Sequence, residues 1–258
     1  MRKQMADVHT FCLFIGHARS GHSIIGALLD AHPQIVISDE LDALRYVEAG
    51  FRPSQILYLP IFVAKNQAER ARTKAGLSGA TYSYAVTGQW QGRYESLQVI
   101  GDSTAGMTVQ RLARDRSLLA RTRLRLMGRK LRFIHVTRNP FDNIATMMMR
   151  GGRTFENAAD RYFSNCEAIV ELAGRIAEDD ILQVRHEDVI LTPQATLERA
   201  CGFLGVPVPA GYLDACAGIL FPQPSRTRAK VEWSQDQRGF VERRIAEFPF
   251  LAGYSFTS

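Results

Sequence analysis

Gly16 and Gly21 bracket a short loop, His17-Ala18-Arg19-Ser20, which follows an apolar run and leads into His22-Ser23. This is the spacing of a phosphate-binding loop, G-x-x-x-x-G-K-[ST], with a histidine in the lysine position. Such a loop gathers backbone N–H groups around an anion, and the helix it opens adds partial positive charge. Ser20 and Ser23 add hydroxyl donors. Arg19 adds a planar cation able to grip two oxygens at once. The lost lysine argues against ATP or GTP hydrolysis, where that group reaches the β- and γ-phosphates. The plain alternative is a tight strand-to-helix turn.

A second segment, RFIHVTRNPFDNIATMMMR (132–150), runs from an apolar strand through Arg138 into an Asn139-Pro140 turn and a helix. Arg138 then sits at the carboxyl end of a strand, where open α/β sheets bind ligands. Thr146 and Arg150 are four apart and share a helix face. The plain alternative for Arg138 is a surface salt bridge, and the Met147–Met149 run reads as core. A third strand candidate, QIVIS, ends at Asp39-Glu40. These acids read either as first-turn helix acids or as carboxylates placed to take a proton. His32 and His135 read as structural histidines.

Positioning these groups takes a set of strands and helices. Short apolar runs predict strands at 11–15, 35–37, 97–100, 133–137 and 181–184. Helical periodicity predicts helices at 23–31, 108–127, 142–150, 154–177, 193–204 and 235–247. Their alternation reads as α/β with a mainly parallel sheet. Residues 51–92 have weak periodicity, and GQWQGRY (88–94) reads as an exposed loop. Residues 221–235 read as an irregular loop before the last helix.

The chain has 258 residues, enough for one large domain, and 46% hydrophobic residues, as in ordinary globular proteins. No apolar run reaches the roughly 18 residues of a membrane span. The basic N-terminus flows into the first strand and does not read as a signal peptide. The four cysteines show no C-x-x-C pairing, which predicts free thiols in a reducing compartment. Net charge is +6, and nine bases stand against one acid between Arg111 and Arg132. With leucines interleaved, that stretch reads as an amphipathic helix with a solvated basic face. Without interleaved aromatics it is a poor single-strand-binding surface.

Taken together, the Arg19-Ser20-Gly21 loop, the His32-Pro33 pair and the arginine segment around Arg138 resemble sulfotransferases that use 3′-phosphoadenosine 5′-phosphosulfate. The likeness is strongest to tyrosylprotein sulfotransferases and their bacterial relatives. It runs through 19–40, 184–208 (VRHEDVILTPQATLERACGFLGVPV) and 229–237 (AKVEWSQDQ), while 51–95 is unmatched. The resemblance implies a P-loop NTPase-like three-layer fold, as a single domain over 1–258 with 51–95 a cap or acceptor-side insertion. It places Arg19 beside the bridging oxygen and sulfuryl group, with Ser20, Gly21, His22 and Ser23 around the 5′ side. It gives the 3′-phosphate to Arg138, with Thr146 in place of a serine and Arg150 alongside. His186 stands where relatives carry a tyrosine, and Lys230, Val231, Trp233 and Ser234 fall in a loop covering the nucleotide. Glu40 takes the place of a catalytic glutamate, with Asp39 and then His17 behind it. Two departures are His22 for a small residue and Ser103 where a lysine often stands.

The activity so implied is sulfuryl transfer to a hydroxyl of a small molecule, carbohydrate or peptide. It leaves adenosine 3′,5′-bisphosphate and needs no metal. A cytoplasmic location and a homodimer go with this reading; nucleic acid and membrane spans do not. The rivals are an atypical P-loop small-molecule kinase, with Asp102 holding magnesium, and a non-catalytic nucleotide- or nucleic-acid-binding protein.

Overall fold

The computed structural model describes residues 5–70, 72–75 and 81–258. Residues 1–4 of the basic N-terminus, and 71 and 76–80 of the 51–95 segment, lie outside them. The first half holds β1 (Thr10–Gly16), α1 (His22–Asp30), β2 (Ile35–Ser38), α2 (Ala43–Glu48), α3 (Pro53–Glu69), β3 (Thr73–Ala75), β4 (Thr81–Ser83) and β5 (Val99–Asp102). The second half holds α4 (Ala105–Arg114), α5 (Leu118–Arg125), β6 (Lys130–Thr137), α6 (Pro140–Gly151) and α7 (Phe155–Ala173). It ends with β7 (Ile181–Arg185), α8 (His186–Leu191), α9 (Pro193–Leu204), α10 (Tyr212–Ala217) and α11 (Gln235–Ile245).

All five expected strands form one sheet, in the order β2-β5-β1-β6-β7, and every pairing in it is parallel. A parallel sheet is buried on both faces, which explains the near-continuous apolar runs. In β1, Phe11, Leu13 and Ile15 pack toward α3, α4, α5 and α7 (Ile56, Val109, Leu118, Ile169). Cys12 and Phe14 pack the other way, against α1, α9 and α10 (Leu28, Leu197, Tyr212). A third, aromatic cluster joins α6, α7 and α11 through Phe141, Phe155, Tyr162, Phe163 and Val241, with Trp233 and Phe248 flanking α11. All four cysteines are free and buried in these clusters. Because the strands are parallel, their carboxyl ends lie on one edge. Gly16, Ser38, Asp102, Thr137 and Arg185 open the site there.

Three expectations are corrected. Residues 51–92 are mostly ordered structure: α3 buries Ile56, Leu57, Pro60 and Ala64, and β3 and β4 form an antiparallel hairpin. The 88–94 stretch docks on α1. Gln91 donates to Ala27 O and Tyr84 O (2.8 Å each), and Gly92 N donates to Asp30 Oδ2 (2.7 Å). The single basic helix at 108–127 is two helices. Asp115 takes an extended backbone after α4, and its Oδ1 accepts from Ser117 N (2.9 Å), an alternative to helical bonding that such side chains offer.

Several of the bases in that stretch pair with acids among the described residues. Arg111 pairs with Asp42 and Glu48, Arg114 with Glu48 (2.9 Å), Arg116 with Glu171 (2.5 Å) and Arg121 with Asp115. Among the described residues no helix is long and apolar enough to cross a membrane.

One buried ion pair ties α1 to the sheet and the hairpin. Asp30, the last residue of α1, is fully buried and pairs with Arg72. Its Oδ1 also accepts from Ile37 N of β2 (2.8 Å), and Arg72 donates to Ile37 O (2.9 Å).

Candidate active site

The loop 16–23 joins β1 to α1, and its two glycines are required by the backbone. Gly16 has φ 140° and a Cβ there would lie 2.5 Å from Val136 O of β6. Gly21 has φ 92°, and a Cβ would collide with the His186 ring. Arg19 also adopts the left-handed region, φ 69°. Such a conformation in a non-glycine residue costs on the order of 1–3 kcal/mol and gathers at functional sites. The Arg19 carbonyl is held by Arg138 Nη1 (3.2 Å).

Arg138 is the hub of the site. It is largely buried at the end of β6, and Nη1 also approaches Thr146 Oγ1 (3.5 Å) on α6. Nη2 donates to Ser225 O (2.9 Å) and Thr227 Oγ1 (3.0 Å). Burial lowers its pKa, against the opposing pull of the Asp142 and Glu187 carboxylates. The segment that meets it is pinned to α6 by the Asp142–Arg228 pair (2.5 Å). His186 opens α8 beside it. Burial first, then the charge of Arg138, pushes His186 down to about 3, so it is neutral at pH 7.

A cleft of about 910 Å³ runs along this edge. Arg19, Gly21, His22, Ser23, Arg138, Thr146, Arg150 and His186 all line it, so the loop and the arginine segment meet as the sequence implied. Ser20 lies fully buried beneath the loop. Lys230, Val231, Trp233 and Ser234 do not line the cleft. Trp233 is buried in the aromatic cluster with Nε1 on Arg228 O (3.0 Å), and Ser234 caps α11. The wall here is built upstream, by 219–225 and Thr227, with Ser83 and Tyr84 after the hairpin.

A second pocket, of about 280 Å³, lies on the other side of the loop, among residues of α4, α6 and α7. His17, Thr104, Met107, Gln110, Met147, Arg161 and Asn165 help to line it. Glu40, His22 and Ala18 line both spaces. Glu40 has φ 54° and Asp42 φ 59°, so this loop is strained as well. It is clamped from both sides. Gln67 of α3 accepts from Asp39 N (2.9 Å) and donates to Asp39 O (2.6 Å). Asp102, fully buried, accepts from Leu41 N (3.1 Å) and Ala43 N (2.9 Å). Burial pushes the Asp102 carboxyl up to about 6, opposed by those amides. Neither Gln67 nor this role of Asp102 is legible in the sequence.

The other candidates fall elsewhere. Asp39 is buried, accepts from Ser103 Oγ (3.1 Å) and lines neither space. Ser103 is itself fully buried, and its packing against Gly26 leaves no room for a larger side chain on that α1 face. His17 lines the smaller pocket only. Its ring stacks on Tyr162 (3.9 Å), Nε2 bonds to Tyr162 O (2.9 Å), and burial pushes it down to about 4. His32 bonds to Pro207 O (2.7 Å), and His135 packs on Phe250.

The residues present fit a phosphorylated nucleotide. His186 Nδ1 lines the cleft, feels the charge of Arg138, and is buried with no hydrogen-bond partner among the described residues. Buried polar atoms are nearly always satisfied, so His186 Nδ1 fits a polar group bound in the cleft. Among the described residues no group of three or more His, Cys, Asp or Glu stands where it could hold a metal ion.

An all-parallel sheet with a glycine-bounded loop at its switch point is the architecture on which α/β proteins bind nucleotides and other anions. The sulfotransferase family model matches residues 13–210, so the chain belongs to the sulfotransferase family. Among solved structures it is similar to the sulfotransferase domain of the Synechococcus PCC 7002 olefin synthase, at 18% identity and TM-score 0.51, over 92% of this chain and 83% of that one. It is also similar to the sulfotransferase domain from the curacin biosynthetic pathway, at 14% identity and TM-score 0.54, over 93% and 96%. The sulfotransferase STF9 from Mycobacterium avium matches at 10% identity and TM-score 0.51, over 94% and 77%. At these identities the likeness speaks for the fold. No curated protein matches the chain in sequence.

Proposed function

We propose that residues 1–258 form one sulfotransferase unit that moves a sulfuryl group from 3′-phosphoadenosine 5′-phosphosulfate to a hydroxyl acceptor, with Glu40 as general base. One observation carries this reading: Glu40 lines both the long cleft and the smaller pocket, beside the loop that joins them. When bound, the donor supplies the sulfuryl group and leaves as adenosine 3′,5′-bisphosphate. Arg138, Thr146 and Arg150 hold the 3′-phosphate, and the 19–23 loop holds the 5′ side. Arg19 offers positive charge next to the bridging oxygen, a task that a magnesium ion takes in nucleotide kinases. Glu40 accepts the hydroxyl proton of an acceptor seated in the smaller pocket. Free, buried thiols support a cytoplasmic setting. The kinase reading loses its magnesium ligand, because both oxygens of Asp102 are engaged by backbone amides within the core.

The test is thermal stability with adenosine 3′,5′-bisphosphate, AMP and ATP with magnesium. A ligand that binds only the folded chain raises its melting temperature. The bisphosphate is expected to stabilise without metal and well beyond AMP. Equal shifts for these two ligands overturn the donor assignment.

Arg19→Ala is expected to weaken bisphosphate binding by about ten- to a hundredfold, the loss of a charge-assisted contact of roughly 1.5–3 kcal/mol. Calorimetry checks this, and unchanged affinity would remove Arg19 from the donor site.

A further inference from the structure

The direction of Glu40 is set by its backbone, and other parts of the fold hold that backbone in place. Its φ of 54° is left-handed, a conformation that a residue with a Cβ keeps only where its surroundings over-determine it. The two peptide planes that meet at Glu40 are each tied to a distant side chain. The plane before it carries Asp39 O, which accepts from Gln67 Nε2 of α3 (2.6 Å). The plane after it carries Leu41 N, which donates to Asp102 Oδ1 at the end of β5 (3.1 Å). Asp42, left-handed at φ 59°, is held in the same way. Asp42 N donates to Thr104 Oγ1 (2.9 Å), and Ala43 N donates to Asp102 Oδ2 (2.9 Å).

Asp102 therefore reaches both strained residues at once. It is fully buried, and its Oδ1 also accepts from Ser38 Oγ (3.1 Å). Leu41 N and Ala43 N each need an acceptor, one at either oxygen. An ionised carboxylate offers acceptors on both, whereas an amide of the same shape turns an NH₂ toward one of the two N–H groups. Burying that charge is costly unless it is hydrogen-bonded, and the loop amides supply the bonds. The charge of Asp102 and the geometry of the loop are thus coupled. Freed of these ties, a residue with a Cβ leaves the left-handed region, and its side chain turns with it.

We infer that Asp102, together with Gln67, is a positioning residue: its carboxylate locks Glu40 in the left-handed backbone that sets it between the cleft and the smaller pocket. This rests on Glu40 being the base of the function just proposed. Asp102→Asn and Gln67→Leu test it in the full chain. In Asp102→Asn the amides of Leu41 and Ala43 should exchange with solvent about tenfold faster or more by NMR, while those of β1 keep their protection. Turnover should fall by about ten- to a hundredfold, since a misplacement of about 1 Å can cost that much. Bisphosphate affinity should stay at the parent value, a split that general loss of structure would not give. Gln67 is only half-buried, so Gln67→Leu decides if Asp102→Asn does not fold, read at the Leu41 amide and by the same split. Parent-like exchange in the deciding variant overturns the inference. So does full turnover with the loop loosened, or a loss of turnover matched by an equal loss of bisphosphate affinity. Full activity in Glu40→Gln would instead strike the proposed base, and amide exchange would still measure the clamp without any acceptor.

Discussion

Glu40→Gln is expected to lower turnover by about 10²–10⁴ while adenosine 3′,5′-bisphosphate still binds as in the parent chain. The amide keeps the size and hydrogen bonding of the carboxylate but cannot accept the acceptor's proton. It also keeps a Cβ in the left-handed backbone at φ 54°, so the local strain is unchanged. The two measurements are bisphosphate calorimetry and sulfated-product formation with any acceptor found by screening. Asp39→Asn should do much less to turnover, because Asp39 faces Ser103 and lines neither space. His17 is the stronger rival, since it lines the acceptor pocket. It does not reach the donor cleft, and its Nε2 is committed to Tyr162 O. Full activity in Glu40→Gln would end the assignment. An inactive His17→Gln that still binds the bisphosphate would name the replacement.

Asp30→Ala is expected to cost about 3–5 kcal/mol of stability, because it leaves the Arg72 guanidinium charged, buried and unpaired. It also removes the acceptor of Ile37 N and Gly92 N. A domain holds only about 5–15 kcal/mol in total, so the change takes a large share of it. For a chain of this size the melting temperature should fall by on the order of 10 °C. Urea unfolding of the variant measures the loss directly. A loss below about 1 kcal/mol, the range of an exposed pair, would show that water reaches this pair. Asp30→Asn should be milder, since its carbonyl can still accept from Ile37 N.

The sequence was most legible where the sheet imposes it. Strands buried on both faces leave unbroken apolar runs, so all five were readable, with β5 displaced by two residues. The candidate site residues reach one edge for the same reason. Parallel strands bring residues just past their ends to one edge, and Arg19, Glu40, Arg138 and His186 each follow a strand. The 51–92 segment was not legible because α3 carries an interior Pro60 and buries only a few side chains, which blurs its period. It contributes Gln67, bonding to backbone, and Ser83 and Tyr84 in the cleft wall, and these leave no local pattern. The covering loop shows a different limit. Resemblance located its anchor, Trp233, whereas the residues facing the cleft lie upstream at 219–227. The smaller pocket draws Gln110 from α4 and Arg161 and Asn165 from α7, about fifty residues apart, so no local spacing could announce it.

The buried thiols give the chain a property of their own. The thiolate is the reactive form of cysteine, and burial raises the pKa of Cys12 and Cys166 and pushes Cys201 and Cys216 up to about 12. Neither exposure nor ionisation is available in the closed fold, so alkylation must wait for local opening. Cys12 sits within β1, Cys166 in the aromatic cluster beside His17, and Cys201 and Cys216 on the buried faces of α9 and α10. The four thiols therefore report on three parts of the fold, Cys201 and Cys216 sharing one. The native sequence carries built-in clocks for the central strand, the α6–α7 layer and the outer α9–α10 layer, and their modification rates rank the order in which these units come apart.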